Sequence, residues 1–260
     1  MRSTTTLLTT TLLFIGTAAA AGASDDLTVV SKLTHNGKSA GTETNYMSAD
    51  HVRMGRGEGT STLVDLKSGV MTTLDDKKKT YYSVTKQDLE QMQAKMQEKM
   101  NDPQTKKAME AMQSMTGAMT FTPQVTKTGV TRKIAGFTCE EWSIAMSAMM
   151  TTKECVTTEL TYPVHAFDGY KEFTKGMQSM MSGFGPIAKS GAELAEKLKA
   201  MKGFPVATSS AIDVMGMKQT TESEVIEVRH SEIPASVWEV PAGYTKIENP
   251  MLKAFQRHGG

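Results

Sequence analysis

Apolar and polar positions alternate along the first part of the chain. Leu27, Val29 and Ser31 fall on one side of a period of two, and Thr28, Val30 and Lys32 on the other. Short β-branched or aromatic runs follow at Val52–Met54, Thr62–Asp65, Val70–Leu74 and Thr80–Val84. Turn-forming residues separate them: Asn36-Gly37, Ser48-Ala49-Asp50, Gly57-Glu58-Gly59, Lys67-Ser68-Gly69 and Asp75-Asp76-Lys77. Short strands at regular spacing with such residues between them predict an antiparallel meander.

The period changes after Val84. Thr85-Lys86-Gln87-Asp88 reads as a capping box with Asp in place of Glu, and Leu89, Met92, Met96 and Met100 follow at helical spacing. Asp102-Pro103 ends that helix and starts another, whose stripe is Ala108, Met109, Met112 and Met115. Strands are predicted again from Met119 to Val130 and on through a hairpin to Leu160. A second helical region runs from about Phe167 to Met201, with Phe167, Tyr170, Met177, Met180 and Met181 roughly on one face. Gly183-Phe184-Gly185-Pro186 interrupts it. Ser190-Gly191-Ala192-Glu193 reads as a capping box, with Leu194, Leu198 and Met201 behind it. Gly203-Phe204-Pro205 stops the helix. Segments 206–216 and 218–229 form a long hairpin turning near Gly216, and Pro241-Ala242-Gly243-Tyr244 closes the domain.

The N-terminus has a different pattern. Arg2 precedes a short apolar stretch containing Leu7, Leu8, Leu12, Leu13, Phe14 and Ile15. Ala21-Gly22-Ala23 then satisfies the small-x-small rule for signal peptidase. The stretch falls well short of the ~20 residues of a membrane span. The expectation is a signal peptide over 1–23, a single β-rich domain over 24–248 and a flexible tail over 249–260. Helical insertions lie near 86–116 and 167–201. No cysteine follows the apolar stretch to carry a lipid anchor, so the mature protein is expected free in the periplasm or secreted, with no transmembrane segment.

Charge adds an exclusion. The chain has 29 basic and 28 acidic residues, and loss of the leader removes Arg2. A balanced charge argues against a general nucleic-acid binder. Aromatic residues are only 6% of the chain whereas methionine occurs 21 times, so much of the core should be methionine.

Cys139 and Cys155 are the only cysteines. An even pair in an exported protein favours a structural disulfide, closing a loop of about 15 residues worth about 3 kcal/mol in the chain-entropy model. Redox chemistry is the alternative, but no C-x-x-C occurs. Folding the chain about Ser147 sets Cys139 opposite Cys155, Glu141 opposite Lys153, Trp142 opposite Thr152 and Ile144 opposite Met150. The same register opposes Glu140 and Glu154, a like-charge pair that counts against it.

Five stretches carry a family resemblance: Val64-Asp65-Leu66, Lys78-Lys79-Thr80-Tyr81, Ile134-Ala135-Gly136-Phe137-Thr138-Cys139-Glu140-Glu141, Lys202-Gly203-Phe204-Pro205 and Trp238-Glu239-Val240-Pro241-Ala242-Gly243-Tyr244. In order, they resemble a bacterial exported family known as a domain of unknown function (number 4412). That family is similar in shape to the LolA/LolB lipoprotein carriers, in which a half-open barrel wraps helices around an apolar cavity. The resemblance implies a mostly β, α+β fold: one curved antiparallel sheet with Met-rich amphipathic helices against its concave face. The insertion from Lys86 to Met119 is longer than the family pattern, and its helices could fill such a cavity. The resemblance carries no catalytic residues across.

Methionine admits three readings: gap-filling core, an adaptable lining for lipid tails, or thioether ligands for Cu(I) at Met109, Met112 and Met115. No histidine or cysteine lies between Thr85 and Thr138 to complete a copper site. His35, His51, His165, His230 and His258 show no metal-ligand spacing and read as surface or loop positions. Gly55-Arg56-Gly57-Glu58-Gly59 lacks a following helix and reads as a loop between strands. There is no G-x-S-x-G, and the doublets Asp75-Asp76 and Glu140-Glu141 sit in a turn and a hairpin; neighbours on a strand point to opposite faces, so such doublets rarely act together. With no catalytic set, cofactor or metal to assign, the expectation is a non-enzymatic protein binding a lipid or other apolar small molecule. The lining candidates are Leu89, Met92, Met96, Met109, Met112 and Met115. Two alternatives stand beside it: a structural or protein-interaction module of the cell envelope with a filled core, partnered by another envelope protein, and a Met-rich Cu(I)-binding protein.

Overall fold

The computed structural model describes residues 25–55, 59–101, 103, 123–147, 150–163, 186–214, 217–250 and 253. The predicted leader, the second methionine stripe at Met109, Met112 and Met115, and the stripe from Phe167 to Met181 lie outside these residues.

Twelve strands form one sheet in the order β12-β6-β5-β4-β3-β2-β1-β11-β10-β9-β8-β7. The meander is β1 (Leu27–His35), β2 (Lys38–Met47), β3 (His51–Gly55), β4 (Thr60–Asp65), β5 (Met71–Asp75) and β6 (Thr80–Val84). The second half is β7 (Gln124–Ile134), β8 (Phe137–Ser147), β9 (Met150–Thr157), β10 (Phe204–Val214) and β11 (Met217–His230). Two helices stand among the described residues, α1 (Lys86–Asn101) and α2 (Pro186–Leu198), with a short 3-10 turn at Ala235–Trp238.

The predicted turns explain the meander. Asn36 and Gly37 both take positive φ (49° and 74°), the backbone of a two-residue hairpin that matches strand twist. The Asp65 carboxylate accepts from the backbone N–H groups of Lys67 (2.9 Å) and Ser68 (3.0 Å), and so fixes the next reversal. After β6 the capping box forms as read. The N–H and hydroxyl of Thr85 donate to the Asp88 carboxylate at 2.8 and 2.7 Å, and the Asp88 N–H donates back to the Thr85 hydroxyl at 3.1 Å.

Of the strand region predicted from Met119, residues 119–122 lie outside the described residues, and β7 runs from Gln124. Two expectations need correction. Helix α2 begins at Pro186 and runs through Ser190, so the second capping box is not a helix start. Proline suits the first turn, where its missing N–H costs nothing. Past Tyr244, β12 (Thr245–Lys246) pairs parallel with β6, the Thr245 and Ile247 N–H groups donating to the carbonyls of Lys79 (2.9 Å) and Tyr81 (2.8 Å). His51 is no loop residue. It lies half-buried in β3 and stacks on Trp238 with ring centroids 5.3 Å apart. Of the predicted tail, Asn249 is buried and its carbonyl accepts from the Lys253 N–H at 3.0 Å.

The hairpin register also differs. Glu141 stands opposite Cys155 and Trp142 opposite Glu154, a shift of two residues from the expected pairing. The reversal lies beyond Ser147, which pairs Met150, and a bulge between Ala145 and Ser147 sets the rest. A two-residue slip keeps every side chain on its original face, so the cysteines still meet, diagonally, with Cα atoms 5.3 Å apart. It also removes the Glu140–Glu154 opposition. Glu140 instead pairs with Lys127 (2.6 Å), whose ammonium lies 5.2 Å over the Trp142 ring.

The sheet is curved and does not close, since β7 and β12 remain at opposite ends. Curvature is evident where Arg132 of β7 meets Glu224 of β11 at 2.8 Å. Four strand spacings of a flat sheet would separate those backbones by about 19 Å. A buried cluster runs along the bend: Leu27 and Val29, Met47, Ile134, the two cysteines, Leu160, Phe204, Val206 and Val225.

Candidate functional site

The pleat gives the concave side its residues. Positions two apart share a face, so β1 contributes Val29 and Ser31, β2 contributes Glu43, Asn45 and Met47, and β3 contributes Val52 and Met54. From the other half come Ile144, Glu154 and Val156, then Thr208, Ser223 and Val225. Tyr162, Leu198, Met201 and the Gly203-Phe204-Pro205 corner complete the wall. Together the described residues surround a cavity of about 740 Å³, within the ~300–1,000 Å³ typical of small-molecule sites.

The corner is a fixed point of this wall. Gly203 has φ +128°, and a Cβ there would lie 2.2 Å from the carbonyl oxygen of Thr157. Only glycine lets the chain pass so close to β9 as it turns from α2 into β10. The turn places the Phe204 ring against Tyr162, centroids 4.7 Å apart.

Electrostatically the cavity is one-sided. Among the described residues its lining holds two carboxylates, Glu43 and Glu154, and no lysine, arginine or histidine. Burial pushes the Glu43 carboxyl above its usual range, opposed by hydrogen bonds from the Ser223 hydroxyl (3.4 Å) and Asn45. Burial alone pushes Glu154 up. Glu154 faces Trp142 on one side and Thr208 on the other and has no hydrogen-bond or ion-pair partner among the described residues.

Two of the predicted lining residues have described side chains. Leu89 is half-buried and Met92 buried, yet neither is among the cavity residues. The Met96 side chain and all of Met109, Met112 and Met115 lie outside the described residues. From the predicted helical stripes, Leu198 and Met201 do reach the cavity. The strand residues Val29, Glu43, Asn45, Glu154 and Thr208 were missed as lining. The signal was present in period two: Glu43, Asn45 and Met47 alternate with Thr44 and Tyr46. Among the described residues, no three His, Cys, Asp or Glu side chains gather where they could hold a metal ion, and no helix is long and apolar enough to cross a membrane.

The family model described as a domain of unknown function (DUF4412) matches residues 28–244. No curated protein matches the chain. The solved structure of PNGF-II in its C2 space group is similar at 11% identity and a TM-score of 0.40, over 88% of this chain and 32% of that one. The chain therefore spans about a third of that protein's length, and a likeness this slight carries no functional weight.

Proposed function

This chain belongs to the domain of unknown function family DUF4412, and on that premise we propose that it is a non-enzymatic periplasmic protein holding a lipid or acyl chain in its concave cavity. The observation that carries this reading is the cavity itself. It is bounded mainly by apolar side chains from both halves of a curved sheet that does not close. A curved sheet that leaves an apolar hollow open suits a LolA/LolB-like carrier. Each methylene buried contributes about 0.8 kcal/mol, with little demand on the exact shape of the tail. The disulfide between buried Cys139 and Cys155 suits an oxidising compartment, in line with the leader read at residues 1–23.

The test is native mass spectrometry and lipid extraction of protein purified from the periplasm, with titration by the uncharged probe N-phenyl-1-naphthylamine. A co-purified lipid, or saturable probe binding that an alkyl chain displaces, is the expected result. Absence of both would sink the proposal and favour a structural module of the envelope.

A further inference from the structure

We infer that the occupant of this cavity is an apolar molecule with a positively charged head, an alkylamine or alkylammonium amphiphile, and that Glu154 is the counter-charge that selects it. The inference rests on the binding function proposed above and adds the chemical class of the ligand.

The geometry supplies the reasons. The two acids are joined by a polar row running across an otherwise apolar lining. Glu154 stands opposite Thr208, Thr208 opposite Ser223, and the Ser223 hydroxyl reaches over β1 to the Glu43 carboxylate. Glu154 and Ser223 are two strand spacings apart, about 10 Å along the sheet. Glu43 is thus already engaged by neutral donors, whereas Glu154 has none among the described residues. A half-buried carboxylate without a partner costs free energy that a bound cation would offset. Charges interact more strongly here than in water, so the sign of the head group decides. A fatty-acid carboxylate would bring a third negative charge into a wall whose described residues include no cation to receive it. An ammonium would meet Glu154, with the Tyr162 and Phe204 rings in the same wall to accept its apolar periphery.

Three twelve-carbon probes separate the terms: dodecyltrimethylammonium, dodecanol and dodecanoate, each below its micelle concentration, titrated against the full protein at neutral pH. The ammonium should bind at least about tenfold more tightly than dodecanol, with dodecanoate weakest. Glu154→Gln keeps the side-chain shape and should lower ammonium affinity about tenfold relative to any change in dodecanol affinity. Glu43→Gln should have the smaller effect. Equal binding of the three probes, or preference for dodecanoate, overturns this inference and leaves the apolar-binding proposal standing. So does an unchanged ammonium affinity in folded Glu154→Gln protein. Failure of all three probes to bind removes both.

Discussion

The strands β3–β6 and the strands β7–β10 belong to one sheet but are held in place by different means. The first set is short, five or six residues each, and its ladders run without bulges. Two of its reversals carry their own hydrogen bonds, at Asp65, and at Asp75, which accepts from the Lys78 N–H at 3.0 Å. The second set is longer, and bulges interrupt β7–β8, β8–β9 and β9–β10. Its fixed points join residues far apart in the chain: Cys139 to Cys155, Gly203 to Thr157, Arg132 to Glu224. Local turn chemistry builds one part, and tertiary contacts set the other.

The largest expected effect tests the tertiary side. Gly203→Ala would set a Cβ against the Thr157 carbonyl at positive φ and should cost about 3 kcal/mol or more in urea unfolding. Gly69→Ala, in a meander turn at φ +70° with nothing within 4 Å of the added Cβ, should cost only about 1 kcal/mol. Equal losses at the two sites would break the comparison.

The next effect is the disulfide. Replacing Cys139 and Cys155 together by alanine should cost about 3 kcal/mol. Hydrogen exchange should accelerate in β8 and β9 well before β4 and β5; uniform acceleration would mean that both sets unfold as one unit.

The smallest effects differ in sign with pH. Partial burial raises the Asp65 carboxyl, but the Ser68 N–H and hydroxyl and the Lys67 N–H outweigh it and hold it below its ordinary value. Its stabilisation is therefore present above the unfolded pKa and is lost as pH falls through the depressed folded value. Asp65→Ala should cost about 1 kcal/mol at neutral pH and less in acid. Glu154 is raised by burial, so its ionisation penalises the folded state above the raised value, and the penalty fades as pH falls through it. Glu154→Gln should therefore raise the melting temperature at neutral pH, with the gain shrinking in acid. A melting temperature for Glu154→Gln that is lower at pH 7 than that of the parent would contradict this assignment.

The same division explains what could be read from the sequence. Asn36-Gly37, Lys67-Ser68-Gly69 and the Thr85–Asp88 box act on their immediate neighbours, so their residue types announce them. The hairpin register could not be read in this way. A bulge near Met146 moves every pair by a step that no local residue announces, although the pairing of Cys139 with Cys155 survives because the slip is even. The cavity walls among the described residues come largely from strands, which a reading centred on helical methionines left out. Methionine at i, i+3 and i+4 marks a face without naming what it packs against. The importance of Glu154 depends on which strands curve around it, which only the assembled sheet reveals.

The pairing of β1 with β11 has one more consequence. Every other antiparallel pair in the sheet joins strands consecutive along the chain, whereas this one sets Leu27 opposite His230. It closes nearly the longest loop the chain can make, so it should be the slow step of folding. The cavity lies across it, with Val29 and Glu43 on one bank and Glu154 and Phe204 on the other. An occupant touching both banks ties them together, and mass action would turn its concentration into resistance to opening along that line. A molecule already present as the two banks zip shut would need no entrance.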